Sequence, residues 1–138
     1  MANTLYPKYR QALLAGGVNL STGAVKAVLI DLGAYTYSAA HQFLSDVPSA
    51  ARFGTPQTLA NKTITNGNFD ADDVTFPAVA AGASTGGAVE AVLFYRDSGA
   101  EAASELIYLM DTGVTGLPLT LNGSPVKITF DAAGIFQL

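Results

Sequence analysis

The chain contains no cysteine and one histidine, His41. The missing thiols exclude disulfides, thiolate zinc and iron–sulfur sites and a cysteine nucleophile, and they leave the redox compartment open. A single imidazole supplies little for metal or acid–base chemistry. Charge is scarce as well: Asp, Glu, Lys and Arg make up 13% of the residues, about half of the ~25% usual in soluble proteins. Seven basic residues against eleven acidic ones give a net charge of −4 and a pI near 4.6, so the basic footprint that grips nucleic-acid phosphates is lacking. Long apolar runs are missing too. The strongest, Ala24 to Ile30 and Val89 to Tyr95, fall short of the ~20 residues that cross a bilayer. The apolar stretch Ala12 to Ala15 stops at Gly16-Gly17, shorter than a secretory core of ~7–15 residues. These absences predict a soluble chain made in the cytoplasm, with neither nucleic acid nor membrane as partner.

What is present is hydrophobic. Across 138 residues, 49% are hydrophobic and the mean hydropathy is +0.30, which predicts one folded domain over residues 1–138 with one core. The opening segment reads as a short helix over residues 4–16. Thr4 is placed to cap it, Pro7 falls in its first turn, Gly16 ends it, and Leu5, Tyr9, Ala12 and Leu13 share a face. Beyond it the period changes. Short β-branched and aromatic runs bounded by turn formers occur at Ala24–Leu32, Lys62–Thr65, Val74–Val79, Val89–Arg96, Leu106–Met110, Leu119–Leu121, Val126–Phe130 and Ile135–Leu138. This succession predicts a mainly antiparallel β-sandwich of jelly-roll or Greek-key type with one short N-terminal helix. A helical turn is expected at Ala39–Leu44, before Pro48. The small-residue stretch Ala80 to Gly87 reads as a mobile loop.

Val126, Ile128 and Phe130 alternate with polar residues, the pattern of a strand with one dry face. The runs Val25–Ile30, Val89–Tyr95 and Leu106–Met110 are apolar on both faces. The expected core is Val28, Ile30, Val92, Phe94, Leu106, Tyr108, Ile128 and Phe130. The second faces of those three runs must be covered by the N-terminal helix, an irregular loop or another subunit; three strands exceed what one short helix can cover, which points to contact with other chains and to a homo-oligomer. Leu5, Tyr6, Tyr9, Leu13, Tyr35 and Tyr37 are the candidate interface residues, since amphipathic aromatic side chains suit interfaces.

Candidate chemistry is thin. Asp31-Leu32-Gly33, Asp97-Ser98-Gly99 and Asp111-Thr112-Gly113 read as strand-ending turns, with the Asp accepting from amides ahead of it and the Gly supplying a positive φ. Asn66 to Asp73 carries oxygen side chains at alternate places, but Ala71 and Pro77 stand where a calcium loop needs Gly and Glu. A hairpin at Asn66-Gly67 is the simpler reading. The run Gly82 to Gly87 is neither a hydrolase elbow nor a phosphate loop, and His41 has no visible catalytic partners. No catalytic residue, metal ligand or cofactor is assigned, and a non-enzymatic role is expected.

The segments Leu5 to Leu14, Val25 to Asp31 with Gly33 to Asp46, and Asp111 to Pro118 resemble small virion proteins of tailed bacteriophages. The resemblance spans nearly the whole chain and brings no catalytic residues with it. It implies a structural role in the virion, with other virion proteins, the major capsid protein or tail proteins, as partners. A capsid decoration (cement) protein stabilising the head shell is the first expectation. A tail, collar or baseplate component that takes part in host adsorption is the alternative.

Overall fold

The computed structural model describes residues 3–79, 88–112, 114–115 and 117–138. Along the chain run β1 (Thr4–Leu5), α1 (Pro7–Leu14), β2 (Val25–Ile30), β3 (Arg52–Thr58), β4 (Thr63–Thr65), β5 (Asn68–Asp70), β6 (Val74–Phe76), β7 (Ala88–Val89), β8 (Ala91–Arg96), β9 (Glu105–Met110), β10 (Leu119–Thr120), β11 (Val126–Ile128) and β12 (Phe136–Gln137). Five strands form the main sheet in the order β1-β9-β8-β2-β3. Three small sheets, β12-β5-β4, β11-β6 and β10-β7, accompany it, and every pairing is antiparallel. The fold is therefore mainly β and sandwich-like, with one helix near the N-terminus, as the turn-bounded runs predict. Among the described residues no helix is long and apolar enough to cross a membrane.

The helix is shorter than expected at its start. Thr4 does not cap it: Thr4 and Leu5 pair with Leu109 and Tyr108 of β9, and Tyr6 stands at the cap position without a side-chain capping bond. Pro7 opens the helix, where its missing N–H costs nothing. The end behaves as read. Gly16, at φ +75°, allows its amide to reach Leu13 O at 3.1 Å and that of Gly17 to reach Ala12 O at 2.8 Å, a Schellman closure that satisfies carbonyls left over by the helix. The turn expected at Ala39–Leu44 lies further on, as single 3-10 turns at Leu44–Asp46 and Ser49–Ala51. Gln42 and Phe43 are held extended instead, because they lie along β9: the Leu106 amide donates to Gln42 O, and Phe43 bridges to Glu105.

The apolar runs are covered on both faces by their own chain. Phe94 and Tyr108 stand opposite each other in β8 and β9 and share one face of the main sheet. There Phe94 packs on Phe130 at 5.7 Å between ring centres, Tyr108 packs on Phe136 at 5.2 Å, and Phe136 stacks on Phe69 at 5.2 Å. Tyr9 of α1 meets the edge of Phe136 at 6.3 Å. This aromatic layer joins the main sheet to β5, β12 and the helix. Leu5 shares that face with Tyr108, so Tyr6 projects to the other. On that second face the chain leaves β2, reaches the outer edge of β9 at Gln42–Leu44 and returns to β3. The buried Tyr35, Leu44, Val47 and Ala51 of this excursion belong to the core. Val28, Leu93 and Leu109, aligned across β2, β8 and β9, are 1% exposed or less in the single chain. The eight expected core residues are all buried. Of the covers the sequence allows, the irregular stretch 31–51 supplies much of the one on the second face, so the step from doubly apolar strands to contact with other chains does not hold.

Candidate interaction surface

The six residues expected at an interface fall into two groups. Leu5, Tyr6, Tyr9 and Tyr35 are buried within the chain, while Leu13 and Tyr37 are half-buried against the core. The four buried ones present little surface in the single chain; β1 pairs into the main sheet and carries Leu5 and Tyr6 to opposite faces. Tyr9 takes the helix into the aromatic layer, and burial pushes its phenol up to about 12.

The structure does bring Tyr6, Tyr35 and Tyr37 together, and it adds His41. The hydroxyls of Tyr6 and Tyr35 are 2.9 Å apart, Tyr35 Oη lies 2.8 Å from His41 Nδ1, and the rings of Tyr6 and Tyr37 are 5.3 Å apart. Burial raises the pKa of Tyr6, reinforced by the Tyr35 bond, and burial also raises that of Tyr35. Just beyond, Asp46 Oδ2 accepts the amides of Gln42 and Phe43 at 2.8 and 3.0 Å, and these bonds hold its carboxyl below the usual carboxylate range.

The exposed apolar surface lies around α1 and the C-terminus. Leu14 is 92% exposed, Leu138 63% and Ile64 52%. A groove of about 540 Å³ runs between the helix and the last strand, lined by Leu5, Leu13, Leu14 and Leu138 with Arg10 and Gln137. A second hollow of about 350 Å³ lies beside it, with Leu13 and Leu138 on its wall and Ile64, Val18 and Phe69 across from them. Of the interface residues expected from sequence, Leu5 and Leu13 line the first groove. Leu14, Ile64 and Leu138 escaped notice. Leu14 did carry a signal, since it is an apolar residue of a short helix lying off the stripe that Tyr9 and Leu13 turn inward.

The loops considered for chemistry are occupied by their own hydrogen bonds. Asn66 and Gly67, at φ +52° and +78°, close the β4–β5 hairpin. Asp70 accepts the Ala71 amide, Asp72 the Asn61 side chain, and Asp73 the Phe130 amide. Among the described residues no three His, Asp or Glu side chains gather as a metal site. Asp31 and Asp97 each accept the amide two residues on, from Gly33 at 2.8 Å and Gly99 at 3.1 Å, which is the expected turn chemistry. Only Gly99 of these two has a positive φ. Gly113 of the third motif and the loop at 80–87 lie outside the described residues. Comparison with protein-family models and with curated proteins returns no match.

Proposed function

We propose that the chain is a structural protein of a tailed-bacteriophage virion, and that it decorates the outside of the head shell as a non-enzymatic cement protein acting in several copies. The sequence resemblance supplies the setting. The observation that supports the binding role is the apolar surface of Leu14, Ile64 and Leu138, exposed to water in the isolated chain with the half-buried Leu13 beside them. Burying a leucine side chain against a partner contributes roughly 1.5–3 kcal/mol, so a few such contacts suffice to hold a subunit on a shell that offers many equivalent places. The acidic balance of the chain suits the outer surface better than the DNA-facing one.

The test is co-sedimentation of the purified protein with heads and, separately, with tails of the phage that encodes it. Wild type should sediment with heads, and Leu14→Glu combined with Leu138→Glu should weaken binding by at least about tenfold, ~1.4 kcal/mol, with an unchanged circular dichroism spectrum. Attachment to tails and not heads overturns the decoration role. Undiminished binding by the double variant overturns the assignment of the surface.

A further inference from the structure

Only two asparagines of the chain precede a glycine, in Asn66-Gly67 and Asn122-Gly123. Both pairs are exposed, and in both the missing side chain of the second residue leaves its backbone nitrogen open to approach and free to turn. We propose that Asn66 is a site of spontaneous covalent modification, losing its side-chain amide to the Gly67 nitrogen, and that the fold withholds Asn122 from the same reaction.

The step is an intramolecular displacement. The Gly67 nitrogen gives up its proton and bonds to Asn66 Cγ, the Cγ–Nδ2 bond breaks, and Nδ2 leaves as ammonia with that proton. The cyclic imide left behind takes up one water and opens at either of its carbonyls. Opening at Cγ yields aspartate, and opening at the main-chain carbonyl yields isoaspartate. Water is the only other reactant.

The two pairs differ in whether the attacking nitrogen is already engaged. Asn66 and Gly67, at φ +52° and +78°, are the central residues of the β4–β5 hairpin, with Thr65 and Asn68 paired across it. Among the described residues the Gly67 N–H has no acceptor and the Asn66 carboxamide has no partner. This pair is held through Gly67 O, which accepts the Leu138 amide at 2.9 Å. At the other pair the Gly123 amide donates to Val79 O at 2.9 Å, and the Val79 amide donates back to Ser124 O at 3.2 Å. Asn122 Oδ1 accepts the Ser124 amide at 3.0 Å. That last bond polarises the Cγ carbonyl and by itself favours attack. The nitrogen that must attack nevertheless has its proton committed to Val79, and the reciprocal pair of backbone bonds has to open first. Opening it slows the reaction by a factor of about five or more.

The isoaspartyl product alters the hairpin as well. It routes the main chain through Cβ and Cγ and so adds a methylene to a two-residue loop. The Thr65–Asn68 pairing and the Leu138–Gly67 bond both depend on that loop length. Leu138, whose side chain lines both apolar hollows, is thereby loosened. The chemistry is independent of what those hollows bind.

The test is incubation of the folded protein in mildly alkaline buffer, beside the same protein unfolded in guanidinium, with peptide mapping by mass spectrometry at intervals. The ratio of amide-to-acid conversion at Asn66 to that at Asn122 should be at least about fivefold larger in the folded protein than in the unfolded one. Equal ratios overturn the protection of Asn122. Absence of conversion at Asn66 in the folded protein, while the unfolded protein converts there, overturns the site. Chromatography separates the two products, and Asn66→Asp supplies the aspartyl form in a turn that Asp-Gly also suits. The Leu138 amide resonance should move toward its unfolded position in the isoaspartyl form and stay in place in Asn66→Asp; an unmoved resonance in the isoaspartyl form overturns the loosening.

Discussion

Replacing Phe136 by Ala removes a ring that touches Tyr9 of the helix, Phe69 of β5 and Tyr108 of β9, with centre distances of 6.3, 5.2 and 5.2 Å. Phe136 is 7% exposed, so nearly the whole side chain leaves the core. Buried Phe to Ala changes cost about 3–5 kcal/mol through lost transfer energy and the cavity left behind. Ring pairs contribute about 0.5–1.5 kcal/mol beyond burial, which places this position toward the upper part of that range. The site can collapse only in part, because each neighbour is tied elsewhere: Phe69 by the β4–β5 hairpin, Tyr108 by β8, and Tyr9 by the helix. We expect a loss of about 4 kcal/mol, read as a fall of roughly 2 M in the urea midpoint, since slopes for small proteins are about 1–3 kcal/mol/M. Phe136→Leu, which keeps most of the volume, should cost about 1.5 kcal/mol or less. A loss below about 1 kcal/mol for Phe136→Ala would show that the aromatic layer does not hold β12 and the helix to the main sheet, and the account of the core would fail with it.

Two further outcomes follow from single positions. Ile128→Asp places a carboxylate at a fully buried point of β11; it should abolish folding, and a dispersed native-like NMR spectrum of the variant would contradict the core assignment. Asp46 has a carboxyl held below its ordinary pKa, chiefly by the Gln42 and Phe43 amides, so its stabilising contribution is present above about pH 4 and is lost as the pH falls through the lowered value. Asp46→Asn should therefore show a shallower acid-side decline of stability than wild type in denaturant titrations, and equal acid slopes would exclude that role.

Strong local signals carried most of the strands. The runs that became β2, β8 and β9 are long and β-branched or aromatic, and the Asn66-Gly67 pair fixes its hairpin without outside help. β3 was illegible for the opposite reason. Gly54 and Pro56 punctuate it like a loop, and it is a strand because it pairs with β2 around a bulge in which residues 54–56 face only Val28. β1 is two residues long and exists through pairing with residues more than a hundred positions away, so no local pattern announces it. β5 is three residues long within the polar stretch Asn66 to Asp73, where Phe69 is the only large apolar residue. The cover of the second sheet face is not legible because the apolar side chains of residues 31–51 follow no regular period, yet the path from β2 to the edge of β9 and back lays Tyr35, Leu44 and Val47 where they are needed. The meeting of Tyr6 with Tyr35 and His41 depends on that same path and had no signature in the spacing of the three residues.

The two borders of the main sheet limit how copies of the chain can join. On one side β1 offers two residues, and the rest of the β9 edge is taken by Tyr6 and Gln42–Leu44. On the other side β3 carries Pro56, which has no N–H to give, and a bulge with Gly54 at φ +76° that breaks the regular ladder. Neither border offers a long, flat row of backbone donors and acceptors, the template on which strands of separate molecules zip into fibrils. For a chain with few charges and about half of its residues hydrophobic, this leaves the main sheet without a ready route for growing from molecule to molecule, so that any contact between copies falls to side-chain surfaces.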